Sequence, residues 1–333
     1  MGNQTFRALV VDEAEDGRFI RRIQQRPLES LPPHDVLIRV SYSSLNYKDA
    51  LSASGHKGVT RSYPHTPGID AAGTVVVDRR GELAEGTPVL VTGFDLGMNT
   101  AGGLGEYIRV PSEWVVPLPE GLDDKTAMIL GTAGFTAGLS IYRLIQHGVK
   151  PDMGEILVTG ATGGVGSLAV AILRRLGYAP VAVSGKADAH GFLEMLGARA
   201  ILSREEATGP AGRPLLKPRW AGVVDTVGGE ILASAIKATQ YNGAVTCCGL
   251  VASADLALTV YPFILRGVSL YGIDSAECGR ELRMAVWTKL ADEWRPDHLE
   301  QIAREVTLEE VEPALLDLLE GAGRGRIVVK LAV

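Results

Sequence analysis

The residues best suited to gripping an anion lie between Thr159 and Ser167, in the run Thr159-Gly-Ala-Thr-Gly-Gly-Val-Gly-Ser167. Glycines at this spacing let the backbone approach a charged group with no Cβ in the way. Ahead of them Ile156-Leu-Val158 reads as a buried strand. Behind them Leu168, Ala169, Val170, Ile172, Leu173 and Leu176 form the apolar stripe of a helix that stops at Gly177. A strand, a glycine turn and a helix in that order present backbone N–H groups and the positive end of a helix dipole to phosphate. Thr162, Gly163, Gly164 and Val165 are the expected contacts. The pattern is AxGxxG, with Ala161 at the first glycine position, and its weight comes from the strand and helix on either side.

Two further groups could do chemistry. About twenty residues beyond the glycine turn, an NAD-binding fold places an acidic residue on the ribose 2′-hydroxyl. Here Val181-Ala-Val-Ser184 ends in Ser184, Gly185 and Lys186, and Arg204 follows the next strand. A hydroxyl and two cations suit a 2′-phosphate, so the expected cofactor is NADPH. The second group is Asn46-Tyr47-Lys48-Asp49, a polar cluster at a strand end. Tyr47 is expected to contact the cofactor more than to act as an acid, since a phenol with a pKa of ~10 is a weak acid at neutral pH. Asn46 is expected to donate to a ribose or a substrate carbonyl, and Lys48–Asp49 to hold the loop as an ion pair. No metal is expected. There is no CxxC spacing, adjacent Cys247 and Cys248 point to opposite faces of a strand, and His56 and His65 have no third ligand in view.

These groups must be positioned by a chain long enough for two domains. It is 46% hydrophobic and 22% charged, which provides ample core, and a net charge of -6 argues against nucleic acid or an anionic membrane as partner. Three cysteines, two of them adjacent, are no disulfide framework, and the start of the chain lacks the apolar run of a signal peptide. A cytoplasmic setting is expected. The first third is β-rich, with strands at Arg7–Val11, Val36–Val40, Gly73–Val77 and Pro88–Thr92, a loop over Pro27–Pro33 and an extended, proline-bound stretch over Val110–Pro119. Helical spacing begins at Lys125 and resumes from Thr132 to Gln146. Strands and helices then alternate to about residue 273, the pattern of a parallel doubly wound sheet. Helices around 282–290 and 311–319 and a strand at Arg326–Leu331 close the chain.

Several segments carry a family resemblance. Ser43-Ser-Leu-Asn-Tyr-Lys-Asp-Ala-Leu51, Tyr63-Pro-His-Thr-Pro-Gly-Ile-Asp-Ala-Ala-Gly73, Gly131-Thr-Ala-Gly-Phe-Thr-Ala137, the glycine turn and Gly325-Arg-Ile-Val-Val329 resemble the zinc-independent quinone oxidoreductase branch of the medium-chain dehydrogenase/reductase superfamily. Ser184-Gly-Lys186, Trp220–Gly228, Cys248-Gly-Leu250 and Pro262–Ser275 narrow the resemblance to NADPH-dependent acryloyl-CoA reductases, from end to end.

The resemblance implies an α/β architecture. A GroES-like catalytic domain holds residues 1–126 and 276–333, and a Rossmann domain of residues 127–275 is inserted in it. It supports Arg204, adds Leu250, Ile264 and Ser275 as cofactor positions, and puts Asn46 where the zinc branches carry cysteine. Without a metal to polarise an alcohol, the implied reaction is hydride addition to the β carbon of a conjugated C=C, with charge building on the carbonyl oxygen. The small-molecule substrate it implies is acryloyl-CoA, going to propanoyl-CoA; a quinone or 2-alkenal is the alternative. Lys57, Arg61, Arg79, Arg80 and Arg280 are candidates for a basic mouth, and Phe94, Leu96 and Met98 for an acyl pocket. A homodimer is expected to form through the edge strand Val268–Ile273.

Overall fold

The computed structural model describes residues 4–331. Residues up to Thr132, with Ala276–Ala291 and the chain from Leu299 onward, form one compact unit; Ala133–Ser275 and Asp292–His298 form the other.

In the first unit a seven-stranded sheet runs in the order Ala303–Thr307, Arg326–Lys330, Val36–Ser44, Asp70–Asp78, Pro88–Thr92, Val116–Pro117, and Tyr107–Val110 also pairs with Val36–Ser44. Only the pair Ala303–Thr307 and Arg326–Lys330 is parallel. Val36, Ile38, Val40, Val75, Val89, Val91, Ile108 and Val110 fill one face, closed by Val311, Ala314 and Leu315 of the helix Val311–Leu319. Each such side chain contributes about 1.5–3 kcal/mol on leaving water.

The sheet register brings Ser44 opposite Val328, Ser43 opposite Ala71, and Asp70 opposite Thr92. Ser44, Asp70 and Arg326 therefore meet at one end of the sheet.

Two elements were not foreseen and one reading needs correction. Phe19–Pro27 is a strand, paired antiparallel with Thr5–Glu13 so that Leu9 faces Ile23. Its Arg and Gln residues hid the alternation, because the two-stranded ribbon leaves them half in water. Just past the end of the strand Val36–Ser44, Tyr47–Ala53 is a helix. Ser112–Trp114 is a 3-10 turn following Pro111. A single turn needs few backbone donors, so its prolines do not forbid it.

The second unit is a six-stranded sheet, all parallel, in the order Ala200–Leu202, Ala179–Val183, Glu155–Val158, Trp220–Asp225, Thr239–Cys247, Ser269–Gly272. In chain order this is 3-2-1-4-5-6, the doubly wound Rossmann topology. Leu157, Val181, Val223 and Val245 pack against Ile231, Leu232, Ala235 and Ile236 of the helix Gly229–Lys237. The switch in strand order lies between Glu155–Val158 and Trp220–Asp225, where such sheets receive nucleotides. The helix after the glycine turn starts at Gly164, four residues before the apolar stripe that announces it, since glycines can be helical without carrying a pattern.

Candidate cofactor and active site

At the switch point the glycine turn is tied to the neighbouring strand end by side chains. Thr159 Oγ1 donates to Asp225 Oδ1 at 2.7 Å and accepts from the Thr226 N–H at 3.0 Å, and Thr226 Oγ1 donates to the Thr159 carbonyl at 2.9 Å. Burial raises the Asp225 carboxyl pKa, against the pull of these donors and of the Gly228 N–H.

The turn leaves no room for side chains at two places. Gly160 has φ +58°, and a Cβ there would lie 2.3 Å from Thr226 Oγ1; at Gly166 it would lie 2.3 Å from the Gly160 carbonyl oxygen. Gly163, at the N-cap of the helix Gly164–Arg175, is exposed, and Gly164 and Val165 begin that helix. The first N–H groups of a helix have no partner within it, so this surface offers donors to a pyrophosphate. Thr162 is buried beside it.

Beyond the strand Ala179–Val183, Ser184 Oγ accepts the Lys186 N–H at 3.0 Å. The Arg204 guanidinium lies over Gly185, with Nε 3.1 Å from where a Cβ would stand. Ser184, Gly185, Lys186 and Arg204, spread over twenty-one positions of sequence, form one cluster. Burial lowers the Lys186 pKa, Asp188 opposes this, and Arg204 lowers it further. Two cations brought this close want an anion between them.

Leu250 is 67% exposed, and its Cα lies 3.3 Å from a would-be Cβ on Gly228, just past the Thr226 end of the same strand. Ser275 Oγ accepts from Thr136 Oγ1 at 2.8 Å. Ile264 is 68% exposed on the helix Tyr261–Arg266. Ile264 and Ser275 stand on elements other than the glycine turn.

The first unit holds the other cluster. Asn46 caps the helix Tyr47–Ala53 and presents Tyr47, 47% exposed, as its first residue. The Asn46 amide is fully engaged: Nδ2 donates to Asp70 Oδ2 at 2.8 Å and to the Ser44 carbonyl at 3.4 Å, and Oδ1 accepts from Arg326 Nη1 at 3.2 Å. It has no donor left for a ribose or a carbonyl, so its place is structural.

Asp49 is no partner of Lys48. It is buried and accepts the N–H groups of Asn46 (2.7 Å), Gly68 (3.1 Å) and Ile69 (2.8 Å). Burial, then the Asp70 charge, pushes its pKa up to about 7, against the donors of Asn46 and Ile69. Asp70 accepts from Ser44 Oγ at 2.6 Å, from the Thr132 N–H at 3.0 Å and from Thr132 Oγ1 at 2.6 Å.

Sequence reasoning missed Asp70, Thr132 and Arg326 as site residues, though each lies in or beside a quoted motif. The signals were Asn-x-x-Asp at helix-capping spacing and a lone acid in the apolar run Ile69-Asp-Ala-Ala72. Of the basic-mouth candidates, Lys57 pairs with Glu13, Arg80 with Glu82, and Arg280 donates to the Val115 carbonyl. Phe94 stacks on Trp114 (5.3 Å, 2°) under the Arg283 guanidinium, Leu96 is fully buried and Met98 half-buried. Among the described residues no group of three or more His, Cys, Asp or Glu could hold a metal.

Residues 32–120 match the alcohol dehydrogenase GroES-like domain, and residues 164–291 the family described as zinc-binding dehydrogenase. A GroES-like unit together with a doubly wound nucleotide-binding unit defines a dehydrogenase or reductase of the pyridine-nucleotide class. The chain is 46% identical to the putative quinone oxidoreductase YhfP of Bacillus subtilis, covering 98% of this chain and 99% of that one. The crystal structure of that protein with NAD bound superposes with a TM-score of 0.96, covering 99% of this chain and all of that one. It is 43% identical to the acrylyl-CoA reductase AcuI of Ruegeria pomeroyi, over 97% and 98% of the two chains. The yhdH oxidoreductase of Salmonella enterica in complex with NADP superposes with a TM-score of 0.95 at 43% identity, covering 98% of this chain and all of that one. This chain belongs to the medium-chain dehydrogenase/reductase superfamily and is an oxidoreductase of its acryloyl-CoA reductase-like branch.

Proposed function

We propose that this chain reduces the C=C bond of acryloyl-CoA to give propanoyl-CoA, with NADPH as the reductant. The observation that carries the cofactor choice is the Ser184, Gly185, Lys186 and Arg204 cluster, which puts two cations and a hydroxyl where an NAD enzyme would place a carboxylate. NADP in the Salmonella relative agrees with it; NAD in the Bacillus relative marks the competing choice. The acrylyl-CoA reductase name of a relative matched along its whole length supports the substrate.

NADPH, when bound, supplies hydride. Thr162, Gly163, Gly164 and Val165 hold the pyrophosphate, and Ser184, Gly185, Lys186 and Arg204 the 2′-phosphate; Leu250, Ile264 and Ser275 complete the proposed cofactor set. Tyr47, 47% exposed at the start of its helix, contacts the cofactor. Asn46 keeps the start of its helix in place, and its engagement with Asp70 and Arg326 in the position of a zinc-branch cysteine favours metal-free chemistry. Of the proposed basic mouth, Arg61 and Arg79 make no side-chain ion pair among the described residues and are the cations left for the charged CoA tail.

Reduction of quinones or 2-alkenals is the second reading, favoured by the name of the Bacillus relative. Loss of NADPH absorbance with acryloyl-CoA, crotonyl-CoA, acrolein and a benzoquinone in parallel separates the two. The acyl-CoA reading expects acryloyl-CoA to lead in kcat/KM by at least about tenfold. Equal or faster turnover of acrolein or the quinone sinks it.

A homodimer is part of the reading. Among the described residues no strand pairs with the outer side of the edge strand Ser269–Gly272, and Val260, Tyr261, Ile264 and Leu265 are exposed in the segment just before it. Three free cysteines agree with a reducing, cytoplasmic setting.

A further inference from the structure

We infer that Arg326 is a positioning residue for Tyr47: the last strand of the sheet reaches back and fixes the first turn of the helix that presents the phenol. This rests on the reading of Tyr47 as a cofactor contact. It also gives a purpose to the Gly325-Arg-Ile-Val-Val329 motif, which neither the cofactor cluster nor the substrate reading uses.

The guanidinium is 3% exposed. Its Nε donates to the Ile129 carbonyl at 3.0 Å, and Nη1 to the Leu45 carbonyl at 3.0 Å and to Asn46 Oδ1 at 3.2 Å. Nη2 donates to Ser44 Oγ at 2.7 Å and lies 3.7 Å from Asp70 Oδ2. The next residue, Ile327, accepts the Leu45 N–H at 2.9 Å. Both backbone groups of Leu45 and the side chain of Asn46 are thus held by two consecutive residues of one strand. Asn46, held at φ −127° and ψ 161°, leaves Tyr47 one direction in which to start the helix.

The planar fork is what the arrangement uses. Ser44, Leu45, Asn46, Asp70 and Ile129 come from three stretches of chain, and only a side chain with five donors in fixed geometry meets all of them. The helix break at Gly131 closes over the same cluster: a Cβ there would stand 2.6 Å from Asp70 Oδ2, 2.7 Å from Ser44 Oγ and 2.9 Å from Arg326 Nη2. Lysine keeps the charge but has three donors on a point centre, so it cannot hold Leu45, Asn46 and Ile129 together.

The test is a double-mutant cycle on NADPH affinity, read by nucleotide fluorescence, with wild type, Tyr47→Phe, Arg326→Lys and the double variant. Asn46→Ser, which removes the carboxamide but keeps an N-cap hydroxyl, repeats the cycle should Arg326→Lys not fold. Arg326→Lys and Tyr47→Phe are each expected to weaken NADPH by about tenfold, the scale of one charge-assisted hydrogen bond, and the double variant no more than Tyr47→Phe alone.

Hydrogen exchange across residues 46–53 is expected to be at least about tenfold faster in Arg326→Lys, with the strands Glu155–Val158 and Trp220–Asp225 unchanged. Multiplying penalties, unchanged exchange at 46–53, or a Tyr47→Phe variant that binds NADPH like wild type would each overturn the proposal. A wild type that binds NADPH but leaves acryloyl-CoA untouched would sink the substrate reading alone, since the cycle reads only cofactor binding.

Discussion

At the scale of single residues, specificity and pH response rest on different clusters. Removing a cation beside Gly185 should cost NADPH and spare NADH. Lys186→Ala and Arg204→Ala are each expected to raise KM for NADPH by about tenfold or more, with KM for NADH within about twofold, measured by steady-state kinetics on both nucleotides. Equal losses for the two nucleotides would mean that the cations serve the fold and not the phosphate. Asp49 sets a pH response with a definite sign. The unfolded chain loses this proton near pH 4, and the folded chain keeps it up to about pH 7. Between those values the folded state binds more protons, so this group's contribution to stability is full below about pH 4 and is lost as pH rises through about 7. Thermal melting followed from about pH 5 to 8 should show Asp49→Asn with a flatter descent than wild type, together with a lower Tm at pH 5, where the variant sets an amide against the Asn46 N–H.

At the scale of elements, what was legible depended on whether an apolar rhythm existed to be read. The strands of the Rossmann sheet are runs such as Ile156-Leu-Val158 and Val181-Ala-Val183, buried on both faces, and they announce themselves. The helix Tyr47–Ala53 does not, because only seven residues long it carries no full stripe and is set by its cap. The proximity of Ser184 and Arg204 was legible for a physical reason, since a parallel sheet places successive strand ends side by side. The Asp70 cluster was not, because Ser44, Asn46, Thr132 and Arg326 are gathered around it by register and not by spacing. Gly131 tests the element-scale account. With φ +51° and Asp70, Ser44 and Arg326 all within 3 Å of a would-be Cβ, Gly131→Ala should destabilise by about 3 kcal/mol or more, seen as a drop in denaturant midpoint. A loss under about 1 kcal/mol would mean that the cluster yields and does not define the break.

At the scale of the whole molecule, the proposed pairing through Ser269–Gly272 can be set apart from chemistry. Val260→Lys and Leu265→Lys put charge on the exposed apolar face, and light scattering behind a sizing column should show a shift toward monomer. A wild-type monomer at micromolar concentration would remove the dimer from the reading.

The Arg326 cluster also has a consequence in time. Synthesis runs from the N-terminal side, so Asp49, Asp70 and Ile129 emerge long before the guanidinium that serves them; 197 positions separate Ile129 from Arg326. At ~10 residues per second that is a delay of roughly twenty seconds, long enough for the intervening Rossmann segment to fold. Through that interval two acids destined for a dry interior have no counter-charge and are kept in water or protonated. The first unit, although begun first, is then completed last. A nascent chain stopped short of residue 326 would carry a finished nucleotide fold and an open, unassembled catalytic half.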